Sequence, residues 1–160
     1  MIDLVQNTNT SGICALAMAA MAAASLRRRG WLILATILAT LAITIATQAH
    51  WVLHDAIRQW LVGTGLYADH FRVQVAITGG AALVFTLAML WISRVQHGAL
   101  RWASLTTTTL IALFLAQAVS IHAVDAVFGR PAGPVMVIAW LWIAGALMIV
   151  WAALAARRRR

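Results

Sequence analysis

Five histidines and four aspartates hold most of the chemistry open to this chain of 160 residues. His50 and His54 lie four residues apart, so on a helix both imidazoles project from one face. That spacing suits two ligands to one metal ion. His70 or His122 would supply a third, and an aspartate would orient a ring from behind. Imidazole suits zinc, copper and iron. One histidine from His50 or His54 and one from His70 or His122 would also suit the axial positions of haem b. The plainer reading is that these histidines lie at helix ends and reach water. We expect no cofactor, with a metal ion or haem b as the alternative.

Other chemistries find little footing. There is no Gly-rich phosphate loop, no Ser–His–Asp spacing and no pair of carboxylates on one helix. Glu is absent, which argues against a carboxylate-bridged di-iron site. An enzyme is therefore not expected. Cys14 is the only cysteine, so an internal disulfide and Cys-based metal centres are excluded. In its Ala-rich run it reads as a small packing residue.

The elements that position these groups follow from composition. Hydrophobic residues make up 63% of the chain and charged residues 10%, against about 25% charged in an ordinary soluble domain. A bilayer core about 30 Å thick needs roughly 20 apolar helical residues. Trp31–Leu53, Val73–Ile92, Trp102–Val124 and Val135–Ala156 meet that length. Ile13–Leu26 is shorter and reads as a fifth span, or else as a helix lying at the interface. The expected fold is a single all-α membrane domain over 1–160, with four to five transmembrane helices. Their approximate bounds are 11–27, 31–54, 72–93, 101–124 and 135–157.

All twelve positive charges are Arg, giving a net charge of +8. In a soluble protein that would suggest nucleic acid. Here the arginines close apolar runs, as topology signals do, so no nucleic acid is expected. Arg27, Arg28, Arg29, Arg94, Arg101, Arg157, Arg158, Arg159 and Arg160 fall on one side. Arg58, Arg72 and Arg130 fall on the other. The richer side goes to the cytoplasm. The expected location is a bacterial inner membrane with the C-terminus cytoplasmic; the Arg and Ala bias fits a GC-rich genome. No basic region precedes the first apolar run, so no cleavable signal is expected. Trp31, Trp91, Trp102 and Trp151 fall near the inner interface, and Trp51, Trp60, Trp140 and Trp142 near the outer one. This orientation gathers His50, His54, His70, His122, Asp55, Asp69 and Asp125 at the outer end, leaving His97 inside. Ionisable groups near a membrane interior are candidates for function.

Polar and small residues also form stripes. On the Trp31 helix, Ala35, Ala39, Ala42, Ala46 and Ala49 make a face for close helix approach. Leu34, Ile37, Leu38, Leu41 and Ile45 make a bulky face suited to lipid. Thr36, Thr40, Thr44 and Thr47 make a third stripe leading towards His50 and His54. The hydroxyls can bond to their own helix, or they can line a polar path. His70, Gln74 and Thr78 share a face, as do Thr106, Thr109, Gln117 and Ser120, and Gly79-Gly80 marks close backbone approach or a weak point. The helix centres hold no ionisable group, which argues against a proton relay. The segment 54–72 reads as an amphipathic helix with Asp55, Arg58 and Gln59 upward, ending at Gly63 and Gly65. Residues 129–134 read as a Pro-bounded turn.

The run Gln117-Ala-Val-Ser-Ile-His122-Ala-Val-Asp125, followed about ten residues later by the last helix, resembles a family of small multi-pass bacterial membrane proteins of unassigned activity. In that family an Arg-x-x-Ser-x-His-x-x-Asp motif closes the penultimate helix. A Gly-Trp-Tyr-x-x-Arg-Arg-x-x-Gln motif enters the third helix, and this chain matches it at Gly65, Tyr67 and Gln74, with Arg72 near the Arg pair. Gln117 stands where the family has Arg, which weakens any charge-paired network. The resemblance implies five helices and a pairing of Ser120, His122 and Asp125 with Tyr67, Arg72 and Gln74.

The expected function is that of an accessory or structural membrane component. Asp55, Tyr67, Asp69, Arg72, Gln74, Ser120 and Asp125 form its outer polar network, with Asp55 or Asp125 against Arg72 as the central ion pair. Its partners are the lipid bilayer and a membrane protein or a second copy of the chain. A small transporter or channel lined by Thr is the least favoured alternative.

Overall fold

In the computed structural model, residues 2–65, 70–119 and 126–158 are described. The fold is an all-α bundle built from α1 (Ile2–Ala24), α2 (Arg29–Ala46), α3 (Ala49–Gly63), α4 (His70–Val95), α5 (Gly98–Val119) and α6 (Val137–Arg158). A minimal hairpin of β1 (Pro131–Ala132) and β2 (Val135–Met136) precedes α6. Its two-residue connection begins at Gly133, whose φ of 74° suits a residue without a side chain. Arg29–Ala46, Val75–Val95, Gly98–Val119 and Val137–Arg158 are long and apolar enough to cross a membrane. This fits a multi-pass membrane protein.

α1 is central to the packing, lying against both α2 and α6, while α5 lies against α6. Its alanines Ala15, Ala19, Ala20 and Ala23 are buried together with Leu16. Small residues there let the neighbours approach closely, which matters where lipid is as apolar as the helix and packing decides association. The bulky side chains come from the partners: Trp31, Leu34, Leu38, Leu41 and Ile45 of α2, and Trp142 and Ile149 of α6. The face of α2 expected to meet lipid is thus mostly core. On the expected Ala face, Ala35 and Ala42 are buried, whereas Ala39 and Ala46 are exposed. The reason is that the small residues of this contact lie on α1, so the knobs had to come from α2.

Contacts at the two ends set the helix directions. Thr8 Oγ1 accepts from the Met136 amide (2.9 Å) and donates to the Leu4 carbonyl (2.7 Å), tying the start of α1 to the hairpin. Trp142 lies beside Gly12. At the opposite end, Leu100 at the start of α5 packs on Gly30 at the start of α2. So α1 and α6 run one way, α2 and α5 the other. The ends of α1, α4 and α6 and the starts of α2 and α5 thereby meet at one end of the bundle, with Arg28, Arg94, Arg101 and Arg157 among the residues there.

Several boundaries differ from expectation. The first helix starts at Ile2 and not near residue 11, because Thr8 gives the polar start of α1 a tertiary anchor. The expected helix 31–54 is two helices. α2 stops at Ala46, Thr47 Oγ1 donates back to the Ile43 carbonyl (2.9 Å), and Gln48 adopts a left-handed φ of 53°. That conformation ends helices, usually at Gly or Asn. His50 and His54 therefore belong to α3 and do not extend the Thr stripe of α2. Thr36, Thr40 and Thr47 are exposed, and Thr36, Thr44 and Thr47 donate to carbonyls of their own helix. The stripe lines no interior path. On α5 the buried hydroxyls are Ser104 and Thr107, while Thr109 is exposed. Trp31 and Trp142 are buried, so they are core residues and not interfacial anchors; the other six tryptophans are exposed or border the ends.

Candidate functional site

α3 starts where α2 ends, remote from the arginine end. Asp55, Arg58, Gln59 and Val62 follow i, i+3, i+4, i+7 spacing and so share a helical face. With Gly63 they line a cavity of about 520 Å³. An acid, a guanidinium and an amide thus border one concave surface. Asp55, Arg58 and Gln59 are exposed, so each keeps its hydration. Trp60 projects from the other side of the helix and is also exposed, as an amphipathic surface helix requires.

His54 is half-buried, and its ring meets that of Trp51 edge to face, with centroids 6.2 Å apart and planes at 86°. An edge-to-face contact is a preferred arrangement for two such rings. His50 lies one turn earlier on the same helix. His70 and Gln74 lie in the first turns of α4, where Arg72 is exposed. Tyr67, Asp69, Ser120, His122 and Asp125 lie outside the described residues. Among the described residues, no three His, Cys, Asp or Glu side chains come together as a metal site would need.

Two polar features lie outside the sequence expectations. Inside the bundle, Thr8, Asn9 and Gln117 line a cavity of about 40 Å³ with Gly12, Ile138 and Trp142. This polar enclave depends on α1 reaching back to Ile2, since Thr8 and Gly12 share a face only on a continuous helix. The i, i+4 pairing of Thr8 with Gly12 was the available signal. At the arginine end, Arg28, Trp31, His97, Gly98, Leu100 and Ala156 are among the residues lining a cavity of about 320 Å³. His97, set apart from the other histidines by topology, is part of it.

No family model, curated protein or solved structure matches this chain.

Proposed function

We propose that the protein is an accessory or structural component of a bacterial cytoplasmic membrane, with its arginine end and C-terminus inside. The polar cluster at the outer end braces the helix ends or docks a membrane partner. The observation that carries this reading is the Asp55–Arg58–Gln59 face of α3, bordering a cavity at the end of the bundle remote from the arginines. The central position of α1 in the packing supports counting it as a fifth crossing. The family resemblance extends the cluster to Tyr67, Arg72, Gln74, Ser120, His122 and Asp125.

A double-mutant cycle tests the bracing role. Asp55→Asn, Arg72→Gln and the double variant are melted in detergent. The expected coupling is about 0.5–1 kcal/mol, the range for a partly exposed charged pair in a network. Strictly additive effects here, and again with Asp125→Asn in place of Asp55→Asn, contradict the ion-pair network.

The second reading is a metal ion or haem b at His50, His54, His70 and His122. It is favoured by the placement of His50 and His54 one turn apart on α3. Protein purified in detergent would then carry a Soret band or stoichiometric zinc, copper or iron. The absence of all of these removes this reading.

A further inference from the structure

At the arginine end the described residues bring basic side chains together without acidic ones. The chain's four aspartates are Asp3, Asp55, Asp69 and Asp125, and it has no Glu. Asp3 opens α1 at the far end, and Asp55 lies on α3, also at the far end. Asp69 and Asp125 lie outside the described residues. The arginines around Arg28, Arg101 and Arg157 therefore have no carboxylate side chain among the described residues at their own end. Within them lies the cavity of about 320 Å³.

Three parts of the chain build that cavity. Arg28, Gly30 and Trp31 come from the start of α2; His97, Gly98, Ala99 and Leu100 from the start of α5; Ala156 comes from the end of α6. Arg28 brings a fixed positive charge, and His97 brings two ring nitrogens for hydrogen bonding. The first turns of α2 and α5 bring backbone N–H groups that have no partner within their own helices. Trp31 is buried and Leu100 half-buried, so the inner wall is apolar. A mouth bearing Arg28 over an apolar wall, with the exposed Trp91, Trp102 and Trp151 near the same ends of α4, α5 and α6, matches an amphiphile with an anionic head. Trp at this position marks the headgroup level of a bilayer.

We infer that this cavity binds the phosphate headgroup of an anionic lipid, held by Arg28 and His97 between the first turns of α2 and α5. This rests on the membrane reading above. The lipid supplies negative charge beside arginines that have no carboxylate side chain near them among the described residues, and it ties α2, α5 and α6 together there.

Native mass spectrometry of the detergent-purified full chain tests it, with phosphatidylglycerol as probe, phosphatidylcholine as the zwitterionic control and inorganic phosphate as competitor. The expected result is retained phosphatidylglycerol at a stoichiometry of one, little phosphatidylcholine, and weak competition by phosphate. Arg28→Gln lowers retention about fivefold, as expected for one basic residue at an anionic surface. Arg130→Gln, at the other end, leaves retention unchanged. Ala99→Phe keeps every charge but fills the cavity, and it also lowers retention. A melt of each variant shows whether it is folded. If Ala99→Phe retains lipid like the parent, the lipid meets a diffuse arginine surface and the cavity proposal is overturned. Equal retention by Arg28→Gln and Arg130→Gln overturns it too, as does full displacement by phosphate, which would make the ligand a free anion. If the chain stays soluble without detergent and does not enter phosphatidylglycerol vesicles, the membrane reading itself fails; if it enters them but shows no lipid preference, only this inference fails.

Discussion

α2, α5 and α6 differ from α4 in packing but not in apolarity. The apolar windows of α2, α5 and α6 have mean hydropathies of 1.8, 1.4 and 2.3, and that of α4 is 2.1. Yet the first three windows are 33–39% buried and the α4 window only 6%. Hydropathy therefore decides which helices can enter a bilayer, and shape decides which of them form the core. Where the core helices meet, small residues face large ones. A Cβ on Gly145 would come within 2.6 Å of Leu110, and one on Gly30 within 3.0 Å of Leu100. The glycines of α4, Gly79 and Gly80, would meet nothing within 4 Å. α4 is held by its packing on α5 and by a short turn, where Ser104 Oγ donates to Gln96 Oε1 at 2.6 Å.

Matched substitutions sharpen or break this contrast. The largest difference is expected between Leu38→Ala and Leu83→Ala. Leu38 is fully buried and Leu83 is 60% exposed on α4. The first should cost about 2–5 kcal/mol and the second under about 0.5 kcal/mol, read as melting in detergent. Equal costs would mean that α4 is packed as tightly as α2. Next comes Gly145→Leu, which overfills the α5–α6 contact and should cost about 1–3 kcal/mol. Leu110→Ala should recover part of it, and Gly79→Leu should be near neutral or stabilising, since it also removes a helix-interior glycine. A smaller loss than at either core contact is expected from Ser104→Ala. Loss of one hydrogen bond in a membrane bundle is worth about 0.6 kcal/mol, and it should appear first as faster hydrogen exchange in the turn around Gln96.

Much of this architecture could be read from residue order, and what could not has a physical cause. The apolar runs and arginine clusters locate the long helices and bring the clustered arginines to one end, because both signals depend only on position along the chain. Which face of α2 packs was not legible. An Ala stripe and a Leu/Ile stripe are both compatible with a helix contact, and the choice depends on the alanines of α1, a helix that starts well before its apolar run. The break at Gln48 was hidden because glutamine is an ordinary helix residue, and only its left-handed φ reveals the stop. Of the candidate site, the shared face of Asp55, Arg58 and Gln59 was legible from helical spacing. The arginine-end cavity was not, since it joins Arg28, His97 and Ala156 across the length of the chain.

The central claim is that the α3 polar face and the arginine end lie on opposite sides of a membrane. Single cysteines test it most directly in a Cys14→Ala background. Val62→Cys places a thiol beside the α3 cavity, and Val95→Cys places one at the arginine end of α4; both positions are exposed. In intact cells, a membrane-impermeant maleimide should label the Val62→Cys protein and leave the Val95→Cys protein unlabelled until the membrane is permeabilised. Labelling of both variants in intact cells, or of Val95→Cys alone, would contradict the account.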